Sequence, residues 1–223
     1  MLGDLGPFWL SLRVASLATL AIVALGVPTA WALARLRFPG KAAVSGILLL
    51  PLVLPPTVLG YGLLLLLGRR GPVGHWLEAT FGVALVFHWT GAVIASAVAA
   101  SPMFLLPARG AFEGVDPALE DAARLLGRSE GSVFAHVTIP LAWRGLLAGS
   151  VLAFARALGD FGATMMVAGD IPGRTQTAAL AIYDAAMVDD TRRAGLLSLL
   201  VAVASAAATL VAQRASPSRG SAR

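Results

Sequence analysis

The sequence predicts an all-α protein: a polytopic transmembrane helical bundle with about five membrane-spanning helices. Of its 223 residues, 57% are hydrophobic and 13% are charged, and the mean hydropathy is +0.80. A soluble domain has about 25% charged residues, so this composition is typical of a membrane protein. Several apolar runs reach the roughly 20 residues with which an α-helix crosses about 30 Å of hydrocarbon. The chain has no cysteine, which excludes disulfides and cysteine-ligated metal or redox sites.

Five apolar segments are the predicted spans. Gly26 and Pro28 interrupt the first and are expected to bend it rather than end it. The second contains three prolines, and the fourth carries Arg156 and Asp160 among apolar residues. The predicted spans are residues 14–34, 42–67, 83–106, 145–169 and 194–212. We therefore expect one transmembrane domain, residues 1–212, and a disordered cytoplasmic tail, residues 213–223.

The distribution of arginine and lysine predicts the orientation, because cytoplasmic loops carry the excess of these residues. Five crossings put the two termini on opposite sides. With the N-terminus outside, the inner side receives Arg35, Arg37, Lys41, Arg109, Arg124, Arg128, Arg144, Arg214, Arg219 and Arg223. The outer side then receives Arg13, Arg69, Arg70, Arg174, Arg192 and Arg193. The bias favours an N-terminus outside and a C-terminus in the cytoplasm.

One polar, helix-forming segment, "EDAARLLGRSEGSVFAHVTIP", lies between the third and fourth apolar runs. Asp116 followed by Pro117 is a strong helix start, and Gly127 is placed to end that helix in a left-handed cap. Ser129 is placed to cap a second short segment. The sequence thus predicts two short helices on the inner membrane surface, within a cytoplasmic loop at 109–140. Composition alone leaves two readings open: a docking element for another protein, or a solvated connection.

The stretch "DAARLLGRSEGSVFAHVTIP" resembles the loop that defines the permeases of ABC importers, with Glu-Ala-Ala, three residues, Gly, nine residues, Ile, one residue and Leu-Pro. The residues at those spacings are Asp121, Ala122, Ala123, Gly127, Val137, Ile139 and Pro140. Asp121 stands where the family usually has Glu, and Glu120 precedes it, so which carboxylate matters stays open. The resemblance implies a type I ABC importer permease fold. It also implies that the loop is a coupling element, which sits in a groove of a cytoplasmic ATPase subunit and carries its motion to the membrane.

Two further stretches, "LPLVLPPTVLGYGLLLLLGRRGPVG" and "FARALGDFGATMMVAGDIPGRTQT", are similar to the permease subunits of molybdate importers. Asp160 replaces the Glu that is usual in the second stretch. Tungstate permeases and sulfate or thiosulfate permeases are near neighbours, so the choice of oxyanion stays open. The resemblance implies a homodimer that works with two ATPase subunits and a periplasmic or extracellular binding protein.

The sequence also bears on cofactors and enzymatic activity. The chain has no Gly-x-x-x-x-Gly-Lys-(Ser/Thr) phosphate loop, so ATP and Mg²⁺ are expected on the ATPase subunit, with no cofactor or metal bound by this chain. We expect a transporter subunit of the inner membrane, surrounded by lipid, and no enzyme. Nucleic acid is not an expected partner, since a solvated basic face with aromatic platforms is missing.

Five polar residues in the apolar segments are candidates for the translocation path. Arg156 and Asp160 lie four residues apart and share a helix face, where pairing offsets the cost of each charge in the membrane. They are either a structural pair or a site where Arg156 attracts a passing anion. Thr57, Tyr61 and Thr164 are either ligands for oxyanion oxygens or helix-to-helix contacts.

Two other protein classes fit the sequence less well. An intramembrane aspartyl protease would need a second membrane-embedded carboxylate beside Asp160, and the other acidic residues fall in loops or at helix ends. An ion-driven secondary transporter normally shows internal repeats, which this chain lacks. Both classes are therefore disfavoured.

Overall fold

The structure, a computed structural model, describes residues 5–215, and its regular elements in that range are all helical. The all-α class is confirmed. The helices are α1 Gly6–Arg35, α2 Lys41–Val53, α3 Pro56–Leu67, α4 Pro72–Phe81, α5 Trp89–Glu113, α6 Pro117–Leu125, α7 Glu130–Val133, a π-helical turn Phe134–Thr138, α8 Ile139–Leu158, α9 Gly162–Ala168, α10 Ala178–Met187 and α11 Thr191–Ala215.

Four stretches of helix in the described range are long and apolar enough to cross a membrane: Gly6–Arg35, Trp89–Glu113, Glu130–Leu158 and Thr191–Val211. A fifth crossing is the pair α2 and α3, which meet at an angle of 117°. Lys41, at the start of α2, donates to the carbonyl of Leu36 just after α1 (3.0 Å). Leu67, at the end of α3, packs with Leu85 ahead of α5. The pair thus joins opposite ends of the bundle, and the prediction of about five spans is confirmed.

Prolines account for the break between α2 and α3. Leu54 and Pro55 are extended (ψ 139° and 136°), and Pro56 starts the next helix. A proline disfavours helical geometry in the residue before it, and it fits the first turn of a helix because its missing N–H is not needed there. The predicted span 42–67 is therefore two helices.

The predicted span 145–169 requires a larger correction. Its helix begins earlier, because α7, the π-helical turn and α8 form one continuous stretch, Glu130–Leu158. It also ends earlier, at Leu158, and α9 is a separate helix. The break stands at Gly159–Phe161, where the Asp160 carboxylate accepts the backbone N–H of Thr164 and thereby starts α9 (3.0 Å). Hydropathy does not register such a break, because the residues around it are apolar.

The helix ends differ from the predicted bounds elsewhere too. The third predicted span, 83–106, becomes α5, which starts at Trp89 and continues to Glu113. The first residues of the predicted loop at 109–140 therefore belong to α5, and its last residues belong to the helix that leads into α8. Residues 213–215 of the predicted tail belong to α11, and the remainder of the tail lies outside the described residues.

Helices α1, α5 and α8 form the centre of the bundle. Val14 of α1 packs with Ala92 of α5, and Arg35 of α1 reaches the carbonyl of Val115 just beyond α5 (2.9 Å), so α1 and α5 run parallel. Helix α8 runs antiparallel to α5, while α11 packs against α8 and α10. We call the end of the bundle where α6 lies the loop end.

Glycines let these three helices approach closely. A Cβ added to Gly26 of α1 would lie 2.6 Å from the ring of Phe104, and one added to Gly149 of α8 would lie 3.0 Å from the Phe104 carbonyl oxygen. One added to Gly145 would collide with the Cβ of Ala111. Small residues of this kind are how membrane helices gain packing energy, because lipid provides no hydrophobic drive between them.

We expect Gly145→Val to destabilise the folded chain by about 1–3 kcal/mol, since overpacking forces backbone to move. A matched control is Gly46→Val in α2, where an added Cβ meets nothing within 4 Å in the chain. Thermal melting of the purified protein in detergent should show a lower midpoint for Gly145→Val alone. Equal midpoints for the two variants would contradict the close contact between α5 and α8.

Candidate functional site

The polar segment begins with a well-capped helix. Asp116 accepts the backbone N–H of Ala118 (2.9 Å), and Pro117 occupies the first position of α6. Gly127 has a φ of +81°, the predicted left-handed cap, and Ser129 accepts the N–H of Ser132 at the start of α7 (3.4 Å). These local predictions match the structure.

The second half of the segment differs from the prediction. It continues from α7 through the π-helical turn into α8 instead of forming a separate short helix. Within the turn, Ile139 donates its N–H to the carbonyl of Phe134, five residues back, and Pro140 has no N–H to donate. A π-turn at this point places Pro140 in the first turn of α8. Val137, Ile139 and Pro140 therefore belong to the base of the membrane helix.

One face of α6 is exposed and carries apolar side chains. Leu125 and Leu126 are 89% and 84% exposed, and Ala122 is exposed beside them. Ala123 is only half-buried, so Ala122 is the alanine that the helix presents outward. Two leucines this open, in an otherwise polar segment, are typical of a protein-binding surface rather than of a solvated connection. We call Ala122, Leu125 and Leu126 the docking face.

Ion pairs border the docking face. Arg124 contacts Asp121 and Glu130, each at 2.7 Å. The hydrogen bonds that Arg124 donates to Glu130 and Asp121 hold the pKa of Arg124 above its ordinary value. The Asp121 side chain is 65% exposed. All three groups are open to solvent, so these ion pairs add little to the stability of the chain.

Glu120 points the other way. It is 5% exposed and is the only buried residue of α6. Thr138 donates its hydroxyl to one carboxylate oxygen (2.7 Å), and Arg35 contacts the other (3.2 Å). The sequence left open which carboxylate matters, and the geometry separates them: Glu120 faces the bundle and Asp121 faces outward.

Arg35 and Thr138 are the functional candidates that sequence reasoning missed. Arg35 was named only in the count of charges on the inner side, and Thr138 is the single unspecified position between Val137 and Ile139. The sequence holds only part of the signal: Glu120 and Ala123 are three residues apart on α6 and share a face, and the structure shows that this face turns toward the bundle. An acid on that face needs a basic partner from another helix.

A second polar site is buried where α8 gives way to α9. Asp160 is 2% exposed. One of its oxygens contacts Arg156 (3.2 Å), and the other accepts the N–H and the hydroxyl of Thr164 (3.0 and 2.7 Å). The Thr164 hydroxyl also lies 3.2 Å from that of Ser96 on α5. Asp160 thus joins three helices.

These contacts favour the structural reading for two of the path candidates. Asp160 and Thr164 have their polar atoms bound to each other and almost no exposed surface. Arg156 retains a 30% exposed side chain. Of Arg156, Asp160 and Thr164, Arg156 alone keeps exposed side-chain surface.

Thr57 and Tyr61 lie elsewhere, on the exposed side of α3. The opposite side of α3 packs on α9: a Cβ added to Gly60 would lie 2.9 Å from the Cα of Ala163, and one added to Gly162 would lie 2.9 Å from Pro56. Helix α9 therefore separates the Thr57 and Tyr61 surface from the buried Asp160. The structure does not bring the five predicted path residues into one site.

The loop between α9 and α10 is held from within. The Thr175 hydroxyl accepts the N–H of Ile171 (3.1 Å) and donates to the carbonyl of Gly169 (3.0 Å). Burial raises the pKa of the Asp170 carboxyl above its ordinary value, and the charge of Asp184 adds to the effect, while a hydrogen bond from Gln176 opposes it. The hydrogen bonds of Thr175 hold the loop between α9 and α10 in one conformation.

Comparison with known proteins identifies the family. Residues 22–216, most of the chain, match the family described as binding-protein-dependent transport system inner membrane component. The chain belongs to this family. Members of this transport family are components of the inner membrane, which agrees with the apolar helices of this chain.

Several curated members of the transport family align with most of this chain. The molybdenum transport system permease protein ModB of Escherichia coli (strain K12) is 49% identical over 181 residues, which are 79% of this chain and 79% of that protein. ModB of Haemophilus influenzae is 48% identical over 174 residues, 78% of this chain and 76% of that protein. ModB of Mycobacterium tuberculosis is 41% identical over 195 residues, 87% and 74%.

A solved structure shows the same fold. A bacterial ABC transporter involved in the import of the acidic polysaccharide alginate superposes with a TM-score of 0.73, covering 94% of this chain and 77% of that chain at 16% identity. At that identity the likeness concerns the fold alone. The fold is that of an ABC importer permease, and the chain is a permease of a transport system.

Proposed function

We propose that this chain is the membrane-spanning permease subunit of an ABC importer for molybdate. The observation that carries the proposal is the 49% identity to a molybdenum transport permease over 79% of the chain. Molybdate is a tetrahedral dianion. Tungstate has the same shape and charge, and sulfate is a smaller ion of the same kind, so both belong in the test.

The direct test is uptake in proteoliposomes that contain the chain, its ATPase subunit and its binding protein. We expect uptake of labelled molybdate that depends on ATP, with tungstate competing more strongly than sulfate. Omission of the binding protein should stop uptake. Stronger competition by sulfate than by tungstate would assign the chain to a sulfate importer instead.

The complete transporter in this proposal has two copies of this chain, two ATPase subunits and one extracytoplasmic binding protein. ATP and Mg²⁺ bind to the ATPase subunits, since this sequence has no phosphate loop. The docking face supports an ATPase partner, because two leucines there are almost fully exposed. The exposed side of α3, with Tyr61 54% exposed, supports a second copy of the chain across a shared path.

The proposed orientation places the loop end in the cytoplasm, with the N-terminus outside and the C-terminus inside. Arginine and lysine support it, because Arg35, Arg124 and Arg128 all lie at the loop end. It also puts the docking face on the side where ATP is available.

Cysteine labelling tests this orientation, and the chain has no cysteine of its own to remove first. Arg128→Cys and Thr80→Cys both place the thiol on an exposed residue outside the spans. In intact cells, a membrane-impermeant thiol reagent should label Thr80→Cys only. Arg128→Cys should react after the cells are opened. The reverse pattern would place the docking face outside, beyond the reach of an ATPase.

A further inference from the structure

Three helices meet at one buried carboxylate at the loop end. Glu120 of α6 binds Arg35, the last residue of α1, and Thr138, at the end of the π-helical turn that leads into α8. Arg35 also donates to the carbonyl of Val115 (2.9 Å), in the connection between α5 and α6. We call Arg35, Glu120 and Thr138 the clamp.

The clamp lines a small cavity that aromatic side chains border on one side and the Arg124–Glu130 pair on another. Trp31 and Phe134 meet edge to face with ring centroids 5.5 Å apart, and Phe112 stacks on Phe134 at 6.3 Å. The side chains of Arg35 and Glu120 are 19% and 7% exposed. A buried ion pair of this kind stabilises a fold no better than apolar residues of similar volume, but it constrains the geometry of the groups that it joins. In this chain the Arg35–Glu120 pair fixes the position of α6 relative to α1.

The other attachments of α6 to the bundle lie at the surface. Glu120 is its only buried residue, and Arg124 pairs with Glu130 of α7 in solvent, where an ion pair contributes little to stability. The chain enters α6 through Gly114 and leaves it through Gly127, which has a left-handed backbone. Without the clamp, these surface attachments would let α6 tilt while the membrane helices stayed in place.

We propose that Arg35, Glu120 and Thr138 are positioning residues that pass a displacement of α6 directly to α1 and α8. The inference rests on the proposed function, since it takes the docking face to bind an ATPase subunit. Helix α8 carries that displacement toward Arg156 and Asp160 at its far end. Helix α1 carries it toward Ser11, whose hydroxyl accepts the N–H of Ala178 at the start of α10 (2.7 Å).

The test compares Glu120→Gln with Glu113→Gln, an exposed glutamate at the end of α5 that pairs with Arg109. Both variants exchange one glutamate for glutamine, and neither changes the docking face. Two quantities are measured on complexes reconstituted with the ATPase subunit and binding protein: ATPase affinity, and molybdate transported per ATP hydrolysed. For Glu120→Gln we expect affinity within about twofold of wild type and a transport ratio lower by about fivefold or more, the lower end of the range for coupling between two sites. Glu113→Gln should keep the wild-type ratio.

Two further variants separate positioning from folding. Thr138→Val removes only the hydroxyl that reaches Glu120, so it should fold and lower the transport ratio in the same direction by a smaller factor. The double variant Arg35→Met with Glu120→Gln leaves no unpaired buried charge. It should therefore recover the melting midpoint that Glu120→Gln loses, without recovering the transport ratio.

Three results would overturn the inference. Wild-type transport ratios in both Glu120→Gln and Thr138→Val would show that the clamp passes on no motion. Recovery of the ratio together with the melting midpoint in the double variant would make the clamp purely structural. Failure of the wild-type chain to recruit an ATPase subunit would remove the proposed function and the clamp with it, a result seen before any variant is made.

Discussion

We expect replacement of both Leu125 and Leu126 by Asp to abolish ATPase association while the permease still folds and reaches the membrane. Both side chains are more than four-fifths exposed in the chain, so the substitutions disturb no internal packing. Burial of each leucine against a partner is worth about 1.5–3 kcal/mol. Their loss should weaken association on the order of a hundredfold or more.

Co-purification with the ATPase subunit and titration by a binding assay measure this effect. The control is Ala135→Asp, which adds a charge at an exposed position outside the docking face. It should bind the ATPase as the wild type does. Full association in the double leucine variant would mean that α6 does not contact the ATPase, and the solvated-connection reading of the segment would stand.

Asp160→Ala should sharply lower the amount of folded protein. Asp160 is the partner of Arg156 and the acceptor for both polar groups of Thr164. Breaking a buried pair costs about 3–5 kcal/mol, and we expect the lower end of that range, because Arg156 keeps a 30% exposed side chain. Thr164→Val, which removes a single hydroxyl, should cost about 1 kcal/mol.

The double variant Arg156→Met with Asp160→Asn tests what Arg156 does beyond pairing. It removes both charges and keeps an oxygen that can accept from Thr164, so most of the folded protein should return. Melting midpoints in detergent measure the recovery. If Arg156 also attracts the anion, molybdate uptake by this folded variant should stay low. Normal uptake would restrict Arg156 to a structural role.

Sequence reasoning predicted the features that depend on composition or on neighbouring residues. The apolar runs located the membrane helices, and Asp116, Gly127 and Ser129 revealed the caps of α6 and α7 because a cap is formed by residues a few positions apart. Family-specific spacing pointed to α6 as the place where a partner would dock.

Features that depend on distant contacts were out of reach. Helices α8 and α9 separate at Asp160 inside a continuous apolar run, and only the side-chain contact with Thr164 shows why. The clamp joins residues that are far apart in the chain, Arg35 and Glu120, so no local pattern contains it. The two faces of α6 could be separated only when the position of the bundle was known.

The glycine contacts around Phe104 have a mechanical consequence. Gly26 and Gly149 bring α1 and α8 against the same ring and backbone of α5 with no space for an added methyl group. Three helices without slack at their contact cannot shear past one another, so they move as one rigid unit. Asp160 and the contact between Thr164 and Ser96 also fasten α9 to this unit, so a displacement that starts at the loop end reaches the α3 surface packed on α9 without being absorbed on the way.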